Sequence, residues 1–505
     1  MKYVIGLDLG TSAIKVALFD QNGCKVGSIT SEYKLFTPSA NVVEQDVSVY
    51  WDVFKAALGA LLKRAAIDVS DIVSIGLSAQ GETLIAIDEM GFPLRRAIVW
   101  MDNRAQIESD VLEAFFSNGV IHKTTGQVAM TATWPAAKIL WIKNHEPDVF
   151  RKVHKYLLIE DYFLYRFTGR FVAEGSLLCS TILWDINTKK YWMEMLRYLG
   201  IDEKQLPEIR EPGELVGFML PDVAAELGLA ETTKCVMGAL DQACGAIGAG
   251  NAKPGMFSES TGSALAIVAV TERPVFDPSG EMPCFYFGIP DKYMVHSFTT
   301  GGMLIRWYRD NFCQNELLME SLAGIGAYNL MDMEAMKVPI GSDGLIVLPH
   351  LQGSGPPDTN QAAKAVFYGL TMTHTKPHVS RACLESVAMT LCRMVEATEN
   401  MGTTVTEIRS LSGGAKSPFW CQMKADVTGK TVRTMKDTED SACLGAAILA
   451  GVAVGLWEDV EGCAARFAKE DMVFLPEKEN HANYRKVYEC YKDLQRALAG
   501  FFRKW

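Results

Sequence analysis

One turn pattern occurs twice in this chain, once at the start of each half. Near the amino terminus, the apolar runs 4–9 and 14–19 flank a Gly-Thr-Ser turn. In the second half, the segment 255–268 places a Thr-Gly-Ser turn between two further apolar runs. Such runs pair as a β-hairpin, and glycine at the bend lets backbone N–H groups approach an anion without an intervening Cβ. The repetition predicts two similar lobes that grip one polyphosphate across a cleft.

Polar side chains at the two turns are suited to phosphate oxygens. Thr11 and Ser12 offer hydroxyl donors in the first turn, and Lys15 adds a positive charge beyond it. Thr261 and Gly262 hold the corresponding places in the second turn. An ordinary tight hairpin is the alternative for either turn alone. The presence of both favours a phosphate site.

Length and composition limit the kinds of protein that this chain can form. Its 505 residues exceed one ordinary core, so we expect two domains. No run of about 18 uncharged apolar residues occurs, which argues against a membrane span. The net charge of −11, with no basic run, argues against nucleic acid and anionic membranes as partners. The twelve cysteines are scattered without zinc-like spacing, and no secretion signal is recognisable, so we expect reduced thiols and a cytoplasmic location.

The order of predicted elements is the same in both halves. Paired strands are followed by an amphipathic helix and then by a buried strand, as a ribonuclease H-like, actin-like fold requires. We therefore predict an α/β protein with two such domains around a central cleft. The predicted elements are strands at 2–9, 14–19, 29–35 and 72–78 with a helix at 46–66, then strands within 256–270 and at 294–299, 344–348 and 408–411 with helices at 377–399 and 418–428.

A glycine pair lies between the predicted strand 408–411 and the helix that follows it. Glycines in this place let a flat ring lie against the backbone, while the helix N-terminus faces the polar edge of a ligand. We predict that Gly413, Gly414 and Ala415 contact adenosine. The alternative is a plain strand-to-helix connector, which is common.

Two further helices are predicted. The segment 241–250 reads as a helix of small residues, which suits a tightly packed seam and a hinge between the lobes. The segment 484–502 reads as an amphipathic helix, and we expect it to dock on the second half of the chain.

These motifs, in this order, resemble the FGGY family of carbohydrate kinases over nearly the whole chain. The resemblance implies an ATP-dependent transfer of phosphate to a sugar hydroxyl with Mg²⁺ as cofactor. It also implies a sugar-binding domain at 1–250 and a nucleotide-binding domain at 251–505 that ends in the amphipathic helix. Further matching segments are 97–104, 125–126, 156–162, 168–169, 184–185, 369–371, 384–385 and 444–447.

The resemblance also places a catalytic base. Residues 238–242 fit the family pattern Gly-x-x-Asp-Asn/Gln, which makes Asp241 the implied base. Phosphoryl transfer to an alcohol needs a group that accepts the hydroxyl proton, so the chemistry agrees. Asp8 and Asp241 would hold magnesium, partly through water. The alternative for Asp241 is a helix cap.

The substrate loop departs from the family members that it resembles elsewhere. The segment from 156 to 184 is xylulokinase-like, whereas Glu82 matches the polyol-binding acid of glycerol kinases. Gly81 and Thr133 stand where glycerol kinases carry arginine and tyrosine, and this loss of bulk predicts room for a longer substrate. The predicted substrate contacts are Gln80, Glu82, Trp100 as an apolar floor, Asp241 and Gln242.

We therefore expect an open-chain ketose as substrate, most simply a ketopentose such as xylulose. A polyol kinase acting on glycerol or on a longer polyol such as erythritol is the first alternative. Gluconate is disfavoured because Glu82 and Asp241 would repel an acid. An actin/Hsp70-type ATPase without sugar phosphorylation is the alternative from another class. Expected partners are the sugar or polyol and ATP, and a homodimer is left open.

Overall fold

The first half of the chain is built on a mixed sheet of six strands. The computed structural model describes residues 1–502 and 504. In this part of the chain the sheet order is β5-β6-β4-β1-β2-β3. The β1–β2 hairpin is antiparallel, and β4 lies parallel to β1 on its other side. The six strands are β1 (Tyr3–Leu9), β2 (Ala13–Asp20), β3 (Lys25–Glu32), β4 (Ile72–Ala79), β5 (Leu215–Phe218) and β6 (Lys234–Leu240).

The second half repeats this arrangement in a sheet of seven strands. A hairpin again carries the turn motif, and a parallel strand again lies beside its first strand. The strands are β7 (Met256–Thr261), β8 (Ala264–Thr271), β9 (Cys284–Tyr286), β10 (Tyr293–Thr300), β11 (Glu407–Leu411), β12 (Thr431–Met435) and β13 (Glu470–Phe474). Their order is β9-β10-β8-β7-β11-β12-β13. The predicted repetition of one topology is confirmed.

Helices cover the sheets. Asp46 caps the first of them by accepting a hydrogen bond from Ser48 N at 3.3 Å, as its place before an apolar period predicts. The helices used below are α1 (Val47–Ala65), α2 (Pro135–His145), α3 (Ile159–Thr168), α4 (Asp241–Gly248), α5 (Lys376–Asn400), α6 (Pro418–Thr428), α7 (Ser441–Ala453) and α8 (Lys478–Phe502).

Shorter elements complete the two halves. The remaining helices are Gln106–Phe116, Asn118–Thr125, Pro147–Lys152, Gly175–Leu178, Met193–Leu199, Pro221–Leu227, Met303–Phe312, Gln314–Ala323, Ala327–Ala335 and Val460–Phe467. The remaining strands are Phe36–Ser39, Val42–Gln45, Ile85–Ile87, Ala97–Ile98, Lys155–Leu157, Val172–Glu174, Trp184–Asp185, Lys190–Tyr191, Glu208–Arg210, Ile346–Leu348 and Val366–Tyr368.

Three elements differ from their predictions. The strand predicted at 344–348 forms over Ile346–Leu348, but it pairs with Val366–Tyr368 outside the main sheet. The strand predicted at 29–35 is β3, which runs over Lys25–Glu32 instead, because its pairing with β2 starts in a polar edge segment and ends opposite Ala13. Helix α8 begins six residues before the predicted start, since its first turn is polar and adds nothing to the apolar stripe.

Helices α4 and α7 pack against each other where the two halves meet. A Cβ at Gly248 would lie 1.9 Å from the Ser441 carbonyl oxygen. A Cβ at Gly445 would lie 1.9 Å from the Cys244 carbonyl oxygen. Two helix backbones can approach this closely only at glycine. The predicted seam of small residues is therefore present, and it has a partner helix that the sequence analysis did not identify.

Side chains of α8 dock it on the second lobe. Tyr484, Tyr488 and Tyr491 are buried, and Arg381 Nη2 on α5 donates to the Tyr484 hydroxyl at 2.8 Å. All twelve cysteines are unpaired thiols, and ten of them are buried. Over residues 1–502 and 504, no helix has both the length and the apolar character needed to cross a membrane.

Candidate active site

A cavity of about 200 Å³ lies between the lobes. The first lobe contributes Asp8 from β1 and the first residues of α4. The second lobe contributes residues of its hairpin and the first residues of α7. The polar residues that line the cavity are Asp8, Asp241, Gln242, Ser258, Ser260, Ser412, Thr438 and Ser441. The tertiary structure thus brings the two predicted acids together, beside the hairpin that carries the second turn.

Asp241 lines this cavity at the start of α4. Burial raises its pKa to about 7, and the negative charges of Asp8 and Glu82 add to the increase. The N–H of Gln242 donates to Asp241 Oδ1 at 2.6 Å, which acts in the opposite direction. A carboxyl with a pKa near neutrality is a better proton acceptor than an ordinary aspartate.

Asp8 lies at the carboxyl end of β1 and faces the same cavity. Burial raises the pKa of Asp8, while a hydrogen bond from Ser78 Oγ at 2.8 Å and the charge of Lys15 oppose that rise. Within the described residues, no group of three or more His, Cys, Asp or Glu residues could hold a metal ion. Magnesium commonly uses one or two carboxylates together with phosphate oxygens and water. Two destabilised carboxylates in one cavity fit an ion that binds in this way.

Two side chains hold the first turn by donating hydrogen bonds to its Gly10 carbonyl. The Tyr33 hydroxyl donates to the Gly10 carbonyl, and Gln80 Nε2 donates to the same oxygen at 3.1 Å. In the same turn, Thr11 Oγ1 accepts a hydrogen bond from Trp100 Nε1 at 2.8 Å. The two predicted substrate residues Gln80 and Trp100 therefore contact the first turn itself.

Lys15 and Ser12 differ in their surroundings. The Lys15 ammonium donates to the carbonyl of Glu439 and lies 3.4 Å from Asp440 Oδ1, so it reaches across to the second lobe. Ser12 is exposed at the turn. In this conformation Lys15 connects the two lobes.

A buried ion pair supports the second turn. Glu259 and Lys424 are both 0% exposed, and Lys424 Nζ lies 2.6 Å from Glu259 Oε1. Thr261 Oγ1 donates to Glu259 Oε2 at 2.5 Å, and the Ser410 hydroxyl also donates to Glu259. The sequence analysis missed this network. The available signal was a glutamate inside a predicted strand, which identifies no partner on a helix 165 residues away.

A second, larger cavity of about 550 Å³ lies beside the glycine pair. Gly413 and Gly414 line it together with Thr261 and Gly262. A Cβ at Gly414 would lie 2.7 Å from the Thr261 Cβ, so only glycine lets the two turns meet. The volume is within the range of sites for ligands of nucleoside size. Ala415, predicted to contact adenosine, does not line this cavity.

The predicted sugar side of the site centres on Glu82. Its backbone φ is +55°, in the left-handed region, which is uncommon for a residue with a Cβ. Burial raises the pKa of the Glu82 carboxyl, while nearby Lys138 and the Ser180 hydroxyl lower it.

Position 81 is more crowded than the sequence analysis predicted. A Cβ at Gly81 would lie 2.9 Å from Ser180 Oγ and 3.3 Å from Leu240 Cδ1. The extra room predicted there is wrong, because the Ser180 side chain occupies the space that a larger residue would need.

The fold and the cavities define a class of protein. Two α/β lobes of repeated topology, with two acids in a cavity that both lobes line, are typical of the actin-like group of nucleotide-dependent enzymes. Comparison with family models then identifies the family. The N-terminal domain of the FGGY family of carbohydrate kinases matches residues 3–248, and the C-terminal domain of that family matches residues 260–454. The chain belongs to the FGGY family of carbohydrate kinases.

Individual relatives match over almost their full length. A xylulose kinase of Bacillus subtilis is 32% identical over 99% of this chain and 99% of that protein. A gluconokinase of Bacillus subtilis is 30% identical over 98% of this chain and 96% of that protein. The crystal structure of ligand-bound xylulose kinase from Lactobacillus acidophilus aligns with a TM-score of 0.90 at 29% identity, covering 100% of both chains.

The family assignment fixes the type of reaction. The chain is a sugar phosphotransferase, an enzyme that transfers phosphate to an alcohol group of a carbohydrate. Sugar kinases take that phosphate from ATP. The predicted fold class and enzyme class are confirmed.

Proposed function

We propose that this enzyme transfers the γ-phosphate of ATP to a hydroxyl of an open-chain ketopentose such as xylulose. The relative from Bacillus subtilis named as a xylulose kinase supports this substrate. The observation that carries the proposal is the position of Asp241, whose carboxyl lies in a cavity shared by both lobes and has a pKa of about 7. We also propose that residues 1–250 bind the sugar and residues 251–505 bind the nucleotide.

In this proposal Asp241 accepts the proton of the attacking hydroxyl. Gln242 and Glu82 bind neighbouring sugar hydroxyls, since an amide and a carboxylate are suited to hydroxyl groups. Trp100 forms an apolar floor, and Gln80 holds the first turn through its bond to Gly10.

The nucleotide lies along the two turns and the larger cavity. Thr11, Ser12 and Lys15 bind phosphate from the first lobe, and Thr261 with Gly262 binds it from the second. Lys15 would exchange its contacts with the second lobe for phosphate. Gly413 and Gly414 bracket adenosine, with Ala415 behind them.

Asp8 and Asp241 are the residues that would hold Mg²⁺, partly through water. When bound, the ion neutralises charge on the transferring phosphoryl group. The raised pKa of each acid supports this role, because a nearby cation would favour both ionised forms.

Two other substrates have specific support. Glu82 and Gln242 suit a polyol such as glycerol or erythritol, and a gluconokinase is among the relatives. The carboxyls of Asp8, Glu82 and Asp241 would repel an anion, so we rank an anionic substrate such as gluconate below a neutral sugar.

An ADP-release panel tests the proposal. Xylulose, ribulose, erythritol, glycerol, gluconate and fructose are compared at fixed ATP and Mg²⁺. We expect the highest kcat/KM with a ketopentose. A faster reaction with gluconate or glycerol would contradict the substrate, and sugar-independent ADP release would indicate the ATPase alternative. Light scattering of the same sample tests the homodimer that the sequence left open.

A further inference from the structure

Lys138 is a fully buried lysine that makes no ion pair in the described part of the chain. It lies on α2 and is 0% exposed. Its ammonium donates to two backbone carbonyls, Glu82 O at 3.0 Å and Val99 O at 3.0 Å. Burial of an ammonium is costly, and an apolar side chain of similar length would avoid that cost. The carboxyls of Glu82 and Asp102 also favour the charged ammonium, but neither lies within ion-pair distance, so the two carbonyls are its direct partners.

The first carbonyl belongs to a residue with an unusual backbone conformation. Glu82 has a φ of +55°, which is unfavourable for a residue with a Cβ unless its surroundings enforce it. The charge-assisted hydrogen bond from Lys138 is one such constraint. The direction of the Glu82 carboxylate thus depends on a bond made to its own carbonyl.

The second carbonyl belongs to the residue before Trp100. The indole N–H of Trp100 donates to Thr11 Oγ1 at 2.8 Å, in the first phosphate turn. The backbone N–H of Trp100 points to Thr83 Oγ1 at 3.3 Å, directly after Glu82. One ammonium therefore joins the segment of Glu82 to the segment of Trp100, and the latter contacts the phosphate turn.

We propose that Lys138 is a positioning residue for the sugar. It does not touch the substrate, and it acts by holding Glu82 and Trp100 in the arrangement that binds sugar hydroxyls. This inference rests on the proposed function, because it takes Glu82 and Trp100 as the sugar-facing residues.

Steady-state kinetics of Lys138→Met test the proposal, with Lys143→Met as the matched control. Lys143 lies on the same helix and also donates to a backbone carbonyl, Leu199 O at 2.8 Å, away from the site. We expect the KM for the sugar to rise about tenfold or more in Lys138→Met, because two charge-assisted hydrogen bonds are lost. The KM for ATP should change less than about twofold, and Lys143→Met should keep both values.

A double-mutant cycle separates positioning from general structural support. If Lys138 acts through Glu82, then Lys138→Met should add little to the sugar KM of Glu82→Gln. The proposal would be overturned if the double variant raised the sugar KM by the product of the two single-variant increases. A folded Lys138→Met variant with a sugar KM within about twofold of wild type would overturn it as well.

A third variant covers the case in which Lys138→Met does not fold. Lys138→Arg keeps a cationic donor, and we expect a folded protein whose sugar KM rises while the KM for ATP is unchanged, because a guanidinium cannot reproduce both ammonium contacts. Equal changes in both KM values would contradict the positioning role. Failure of the proposed function would be seen separately, as a wild-type enzyme that phosphorylates no ketopentose in the panel.

Discussion

At Asp241, three effects act on a single carboxyl. Removal from bulk water favours the protonated form of Asp241, and so do the charges of the nearby Asp8 and Glu82 carboxyls. The N–H of Gln242 favours the ionised form. The balance leaves the pKa near 7, about where a general base works best at neutral pH. The same balance implies a cost in stability, which can be measured.

Asp241→Asn should lower turnover by about a hundredfold or more, because the amide cannot accept the hydroxyl proton. ATP binding in the absence of Mg²⁺ should stay nearly unchanged, since the substitution removes no proposed direct contact to the nucleotide. Coupled ADP-release assays and calorimetric titration with ATP measure the two quantities. A variant that keeps most of its turnover would show that another group is the base.

Asp241→Asn should also stabilise the metal-free protein at pH 8. The folded protein holds the Asp241 proton up to about pH 7, while the unfolded chain releases it near the ordinary aspartate pKa of 3.8. The folded state therefore binds more protons between these values, so ionisation of this group lowers the free energy of unfolding as pH rises. We expect a gain of about 1–3 kcal/mol at pH 8 that vanishes near pH 4.

Thermal unfolding in EDTA at both pH values measures this change. A stabilisation of equal size at pH 4 and pH 8 would contradict its electrostatic origin.

At the level of elements, the packing of α4 on α7 depends on glycines in both helices. Gly248 faces the Ser441 carbonyl and Gly445 faces the Cys244 carbonyl, each with no room for a Cβ. Gly245 lies on the same helix as Gly248, but the nearest atom to its Cβ position is 4.0 Å away. The two glycines of α4 therefore have different roles.

Gly248→Ala should destabilise the protein by at least about 2 kcal/mol, because the helices would have to move apart. Gly245→Ala is the matched control, and it should be neutral or stabilise by up to about 1 kcal/mol, as alanine is the better helix former. Midpoints of thermal unfolding compare the two. Equal effects of both substitutions would mean that the close approach of the helices does not limit stability.

Most elements could be predicted from local pattern. The hairpin β1–β2, helix α1 and the strand-to-helix step at 408–428 follow from apolar period, capping and glycine placement. The strand at 346–348 could not be placed in the correct sheet, because an apolar run does not specify its pairing partner. Strand pairing is decided by contacts between distant segments.

At the level of the whole molecule, the two lobes contact each other at the cavity that holds Asp241 and also through ion pairs outside that cavity. Lys15 and Lys25 of the first lobe both lie within ion-pair distance of Asp440 in the second. The proposed active site is complete only when both lobes contribute, since Asp8 and Asp241 come from the first and Thr261 comes from the second. We expect the sugar to favour closure of the lobes before phosphoryl transfer.

ATP hydrolysis without sugar should be at least about a hundredfold slower than sugar phosphorylation, because closure around the sugar excludes water and supplies the attacking hydroxyl. Measurement of ADP release with and without a ketopentose checks this. A sugar-independent rate close to the kinase rate would contradict the closure model.

The candidate site was partly predictable, and the limits have a physical cause. Asp8 and the two turns were predicted from short motifs whose chemistry is local, and Asp241 was predicted from the resemblance to the family. Glu259 with Lys424, Ser180 over Gly81, and Lys138 beneath Glu82 were not assigned, because each depends on a contact between distant segments. Their roles in catalysis and binding stay predictions until the variants are measured.

The sequence by itself determined the repeated α/β pattern and the two glycine-bearing turns, since these are properties of neighbouring residues, and its resemblance to the family pointed to the acid that starts α4. Only the tertiary structure decided that Asp8 shares a cavity with Asp241, that Trp100 contacts Thr11, and that buried ammonium groups lie beneath both halves of the site. Burial and long-range contact set the pKa values and the directions of these side chains. Those quantities arise only when the lobes are folded and packed together.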